Sequence, residues 1–288
     1  MYANQLKLFL ARLLLSLIIL LGRMPKPYLP FLAEILAWIL FYLARKDGRR
    51  IRSNIKRTYS QSSESLFSKS MVRQVIRHQV FMTLELIHEI SKPKSISFCG
   101  EGDYKRLVDN YTDQGKGLII VTGHIGCWEL VAHAGANISG SFNALAKPAG
   151  ADFVTSFLES MRNRLGIQVL WTNKASLGRD MLVALKKNEL LGFVMDQKPD
   201  LRIGHHVSFL GQKTLFVSGP ARVALKSQVP ILAVYCIRLG SFRYRLVCDE
   251  ILYNESIGEE GLTQVLADSI GKMVKTYPEQ WLWNYKRW

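Results

Sequence analysis

The sequence predicts an α/β fold: a central, largely parallel sheet flanked by helices, with an N-terminal apolar membrane-attachment helix. Three observations carry this. Between residues 117 and 196, short apolar runs alternate with segments of helical spacing, the mark of strand–helix–strand units around a parallel sheet. Toward the end, two β-branched runs stand close enough to form a hairpin. Ahead of all of these lies a strongly apolar N-terminus.

GLIIVTG (117–123) reads as a buried strand, and 128–137 as a helix. FNALAKP (142–148) is a strand and 151–165 a helix; QVLWTN (168–173) is a strand and 176–187 a helix; LLGFVMD (190–196) is a further strand. PILAVYCIRL (230–239) and YRLVCDEILY (244–253) can pair through GSFR, and 262–276 reads as the closing helix. Before the first strand, TYSQSSES offers N-cap residues to a helical pattern over 66–90, which SKPKS ends. In sheets of this class, sites gather beyond the C-terminal strand ends.

The first apolar run, Leu8 to Leu21, is interrupted by Arg12 and Ser16 and closed by the prolines of GRMPKP. A second, YLPFLAEILAWILFYLA (28–44), holds one charge, Glu34. RKDGRRIRSNIKR then packs seven basic residues and one acid into residues 45–57. No small-residue cleavage site follows the first run, which sets a signal peptide aside. Membrane attachment is the expectation, by one span or by a helix in the interface, with the basic stretch on anionic headgroups. The expected division is therefore 1–57, membrane-attachment helices and basic segment, and 58–288, the α/β domain.

Charge supports this. The 288 residues carry a net +15, and residues 1–57 hold 11 Lys/Arg against two acids. A basic surface suits nucleic acid, anionic lipid or an acidic protein. The adjoining apolar sequence favours lipid, and neither zinc-finger spacing nor an aromatic RNA-binding strand is present. The four cysteines (99, 127, 236 and 248) form no CxxC pair and no metal spacing, which points to a reducing compartment. His205-His206 lacks an evident third ligand and reads as a flexible loop, and no metal site is expected. His78, His88 and His133 fall in helical patterns and read as structural.

The chemistry concentrates in HIGCWE (124–129), between the strand end at Gly123 and the following helix. His124 and Glu129 are five apart, a poor contact spacing on one regular helix. The pair works if His124 lies on the loop and Glu129, in the first helical turn, reaches back to the imidazole. Gly123 and Gly126 permit the tight backbone. A carboxylate on one ring nitrogen fixes the tautomer and frees the other as a base, and helix-start N–H groups nearby can steady an anion. Cys127 and His124 also allow a thiol hydrolase, although a lone cysteine here is more often a buried small hydrophobe.

With RRIRSNIKRTY, HIGCWE, AKPAG, MRNRLG, LKKNELLGFVMDQKPD, SGPARVALKSQVPILAV and PEQWLWNYKRW in this order, the chain resembles the bacterial late acyltransferases of lipid A biosynthesis, the lauroyl/myristoyl transferase group of the lysophospholipid acyltransferase superfamily. It departs from their pattern at Cys127, where an asparagine is usual. The resemblance implies transfer of a fatty acyl chain from an acyl-carrier-protein thioester to a hydroxyl of a lipid A precursor. It implies no cofactor, no acyl-enzyme, and residence at the cytoplasmic face of the bacterial inner membrane. On it, His124 is the base and Glu129 its orienting partner. Arg164, or second Arg162, stabilises an oxyanion or binds phosphate, Lys147 contacts phosphate, and Gly126, Asp196 and Gln197 support the site. The alternatives are acyl-CoA as donor to another glycolipid or phospholipid, the Cys127/His124 hydrolase, and a non-catalytic membrane-binding protein. No loop of the F-P-E-G-T-R type is present to favour a glycerol-phosphate acceptor.

Overall fold

The computed structural model describes residues 16–59, 69–199 and 203–288. Most of the first apolar run, Leu8 to Leu21, lies outside the described residues, as does the start of the helix expected from 66.

Among the described residues lie nine strands and nine α-helices, besides a helical stretch at 16–22 and three single-turn 3-10 helices. The strands are β1 (Ser97–Cys99), β2 (Leu118–Thr122), β3 (Phe142–Ala146), β4 (Ile167–Trp171), β5 (Leu190–Val194), β6 (Gly204–Phe209), β7 (Gln212–Val217), β8 (Ile231–Gly240) and β9 (Arg243–Ile251). Around them stand α1 (Leu29–Leu43), α2 (Arg45–Thr58), α3 (Lys69–Ser91), α4 (Glu101–Thr112), α5 (Trp128–Ser139), α6 (Asp152–Arg164), α7 (Leu177–Lys186), α8 (Gly219–Ser227) and α9 (Gly258–Thr276). The main sheet has seven strands in the order β1-β9-β8-β2-β5-β3-β4. β8, β2, β5, β3 and β4 are mutually parallel, and β9 turns back antiparallel to β8 with β1 parallel beside it. The fold class is the one expected, and the 231–251 hairpin forms as read.

The central strands are apolar on both faces because both faces are covered. Every residue of β2 is buried. One face packs on α8, α9 and the β6–β7 hairpin through Ile119, Val121, Phe209, Phe216, Leu266 and Ile270. The other packs on α4 and α5 through Ile120, Tyr104, Leu130 and Val131.

His205 and His206 lie not in a flexible loop but in β6, paired with Phe216 and Leu215 of β7. Alternating burial on an edge hairpin gives a weaker apolar signal than the sheet core, and Gly211 supplies the turn with φ +76°. His205 is further held by Glu259, at 3.0 Å.

Residue 57 is no break in packing. Ile51 and Ile55 of the basic helix α2 are 0% and 2% exposed and belong to the same core as β2 and β8. Asn54 donates to the carbonyls of Trp283 (2.7 Å) and Tyr285 (2.9 Å), so α2 is stitched to the C-terminal segment. Most of its charged residues face outward: Arg45, Arg49, Arg52 and Lys56 recur at four, three and four residues and are all exposed, while half-buried Arg50 donates to the Asn284 carbonyl. α1 lies along α3, with Ala33 and Ala37 packed on Val80, Phe81 and Leu84 and Glu34 paired with Arg77. Lys26–Leu43 is long and apolar enough to cross a membrane. Its outward stripe, however, Phe31, Ile35, Trp38 and Tyr42, is 41–72% exposed, while the opposite stripe is fixed to the domain.

Removing the Asn54 amide leaves the buried Trp283 carbonyl without its donor, while the Tyr285 carbonyl keeps the Arg287 N–H. Asn54→Ala is expected to cost about 1–3 kcal/mol, read as a lower thermal midpoint with faster proteolysis of the C-terminal segment.

Candidate active site

The register of the two central strands builds the site. Thr122 of β2 pairs with Val194 of β5. His124 and Asp196 each follow those residues by two positions, and the strands are about 4.8 Å apart. The imidazole and the carboxylate therefore leave the sheet edge side by side. His124 Nδ1 lies 2.5 Å from Asp196 Oδ1. The His124 backbone N–H donates to Oδ2 at 2.8 Å, and the Trp281 indole N–H donates to the same oxygen at 2.7 Å. Gly123 gives this carboxylate its room, since a side chain there would press on Asp196 and Ile270.

Asp196 is 2% exposed. Burial by itself raises a carboxyl's pKa, but the imidazole and the two N–H donors outweigh it and hold Asp196 below the usual range. The ionised carboxylate can only accept, so Nδ1 carries the ring proton and Nε2 keeps its lone pair. Gln197 stands there, its amide nitrogen 3.2 Å from Nε2. The Trp128 ring meets the imidazole edge-on at 4.8 Å between centroids. Arg287, 1% exposed, lies over the Phe216 ring at 4.4 Å with its three guanidinium nitrogens unpartnered among the described residues. Burial lowers its pKa to about 10, which leaves it charged at neutral pH, and it acts electrostatically on Asp196.

The HIGC loop is fixed from three sides. Gly126 N–H donates to the Gln280 carbonyl (3.0 Å), Cys127 N–H to Cys236 of β8 (2.8 Å), and Leu282 N–H to the His124 carbonyl (3.0 Å). The Gly126 carbonyl faces the imidazole of His78 on α3, whose pKa burial pushes down to about 3. Gly126 adopts φ +59°, and a Cβ would collide with the Cys236 carbonyl. Both loop N–H groups are thus spent on structure.

Glu129 does not orient His124. The pinned loop starts α5 at Trp128, and the second helical residue faces α6, where Arg162 takes its carboxylate in a fork: Nη2 at 2.6 Å, Nε at 3.1 and 3.3 Å. The orienting carboxylate comes from Asp196, expected only as support. Nor does Arg164 share that pair. Exposed at the end of α6, it lines a cleft of about 910 Å³ with Glu89, Phe98 and His133. Two residues apart on a helix, Arg162 and Arg164 face different ways, and spacing alone cannot say which way. Lys147 is exposed just past β3.

Cys127 is 0% exposed, and burial pushes its thiol pKa far up. Both ring nitrogens of His124 are engaged elsewhere, so the alternative Cys127/His124 nucleophilic pair is not formed. Trp281, Gln280 and His78 went unread as site residues in the sequence; the PEQW stretch was visible only through the resemblance, and His78 reads like any core histidine. What the arrangement provides is an imidazole oriented by a carboxylate at the C-terminal edge of the sheet, and a separate arginine–glutamate pair on the following helices.

Two curated relatives share part of this chain. A phosphatidylinositol mannoside acyltransferase of Mycolicibacterium smegmatis is 25% identical over 178 residues, 61% of this chain and 58% of its own length. One of Mycobacterium tuberculosis is 22% identical over 175 residues, 60% of this chain and 55% of its own. The chain thus matches little more than half the length of these relatives. The family model described as bacterial lipid A biosynthesis acyltransferase matches residues 3–288, and the chain, carrying an imidazole–carboxylate pair at its sheet edge, belongs to that acyltransferase family.

Proposed function

We propose that this protein is an O-acyltransferase that moves a fatty acyl chain from a thioester to a hydroxyl of a membrane lipid, with His124 as general base. The observation that carries the reading is the His124 Nδ1–Asp196 contact of 2.5 Å, which leaves Nε2 as acceptor at the sheet edge. In the reaction the acceptor oxygen attacks the thioester carbonyl while its proton passes to Nε2. Buried Asp196 stabilises the imidazolium that forms. The C–S bond breaks, and the thiolate recovers the proton from Nε2. A thioester already has a good leaving group, so an oriented base and anion stabilisation suffice without an acyl-enzyme. Arg162, braced by Glu129, supplies fixed positive charge beside the helix start.

The preferred acceptor is a lipid A precursor and the preferred donor an acyl-carrier-protein thioester, at the cytoplasmic face of the bacterial inner membrane; membership across residues 3–288 supports this. The mannoside acyltransferase relatives support a second reading, a glycosylated phospholipid as acceptor. Mass spectrometry of total lipids from cells with and without the protein separates the two. The molecule sits on the bilayer through the outward stripe of α1, with the exposed arginines and lysines of α2 at anionic headgroups.

His124→Ala is expected to remove acyl transfer, and Asp196→Asn to lower kcat by roughly 10²–10⁴-fold, whereas Cys127→Ala keeps most of it, all read by transfer of a radiolabelled acyl chain to lipid. Loss of activity in Cys127→Ala alone, with His124→Ala active, would reject the base assignment. Changing Phe31, Trp38 and Tyr42 together to serine is expected to release the protein from anionic vesicles in a flotation assay, with the fold kept by circular dichroism.

A further inference from the structure

We infer that Gln197 is a plug on the base: its amide occupies the His124 Nε2 lone pair until a lipid hydroxyl displaces it, and so protects the acyl donor from hydrolysis. The inference rests on the acyl-transfer reading above. A transferase that activates a hydroxyl faces a competitor, since water is a hydroxyl donor present everywhere and the acceptor is a scarce membrane lipid. A base with a free lone pair at a sheet edge would activate either. His124 keeps 15% of its side-chain surface open to solvent, so protein packing alone does not exclude water.

The geometry answers this with a neutral amide. Because Asp196 holds the proton on Nδ1, the group facing Nε2 must donate, and the Gln197 amide nitrogen stands there at 3.2 Å. A single neutral hydrogen bond of that length is weak enough for an alcohol seated by the rest of its lipid to replace. Water brings no such binding energy. Gln197 follows Asp196 directly, so its backbone is fixed by the most deeply held carboxylate of the site and the displaced amide stays close. It then meets the reacting oxygens with its N–H groups free. That matters because the loop N–H groups of Gly126 and Cys127 are bound to the Gln280 and Cys236 carbonyls and cannot serve a developing oxyanion.

Without the plug, water gives its proton to Nε2 as its oxygen bonds to the thioester carbonyl carbon. The C–S bond then breaks, the thiolate takes the proton from Nε2, and free fatty acid and thiol leave; no other reagent enters.

The test uses the full chain in phospholipid vesicles with radiolabelled lauroyl thioesters of acyl-carrier protein and of CoA, with and without a lipid A precursor. Free fatty acid and acylated lipid are counted separately. Gln197→Ala and the shorter Gln197→Asn are expected to hydrolyse donor at least tenfold faster than the parent when acceptor is absent. With acceptor present, the hydrolysis-to-transfer ratio should rise at least tenfold. Adding His124→Ala should abolish the gained hydrolysis. Hydrolysis at the parent rate in both folded variants, or an equal fall in hydrolysis and transfer, overturns the plug. A parent that transfers to acceptor no faster than His124→Ala overturns the acyl-transfer reading instead.

Discussion

One buried carboxylate organises this molecule. Asp196 lies at the end of a strand that is apolar on both faces, where an unpaired charge would cost several kcal/mol. It is tolerated because three N–H groups converge on it: the His124 ring, the His124 backbone and the Trp281 indole. Two separate constraints bring them. The ring and backbone are brought by the register of β2 on β5, and the indole by a segment 85 residues further along the chain. Satisfying the charge therefore requires the sheet, the loop and the C-terminal segment to be in place together. The tautomer of His124 follows from that requirement.

The second carboxylate of the region obeys the same rule by another route. Glu129 is partly buried, with 19% of its side chain open, and finds its partner in Arg162 rather than in the histidine five residues before it. Two acids and two nitrogen bases from distant parts of the chain belong to this region, and the backbone sorts them into separate pairs. The stitched loop decides the sorting: with Gly126 and Cys127 bound to Gln280 and Cys236, α5 begins at a fixed angle and its second residue is turned toward α6.

Strand and helix alternation in the sequence was sufficient for the fold class, because continuous apolar runs such as GLIIVTG and LLGFVMD can only be strands covered on both sides. The place of the site was legible too, since HIGCWE begins where the first of these runs ends. The pairing of His124 was not, although a trace of it was present: Asp196 follows its strand as His124 follows its own, two residues past a matched pair. Reading that trace requires knowing that β2 and β5 are neighbours, a fact of tertiary register that local spacing does not contain. The β6–β7 hairpin was missed because a hairpin on the rim carries polar residues at alternate positions and lacks the long apolar run of a core strand. Before residue 57, seven basic residues in thirteen hide the two isoleucines by which α2 packs on the core.

The dependence of Asp196 on Trp281 also sets an order of events in biosynthesis. Chains emerge from the ribosome N-terminus first. The apolar and basic helices α1 and α2 have left the ribosome long before residue 281 has been made. Until that indole arrives, the carboxylate lacks its third donor and the loop lacks its clasp at Gln280 and Leu282. A nascent chain can therefore hold its N-terminal helices while the His124–Asp196 pair is still unassembled, and completion of that pair is a late event in its own translation.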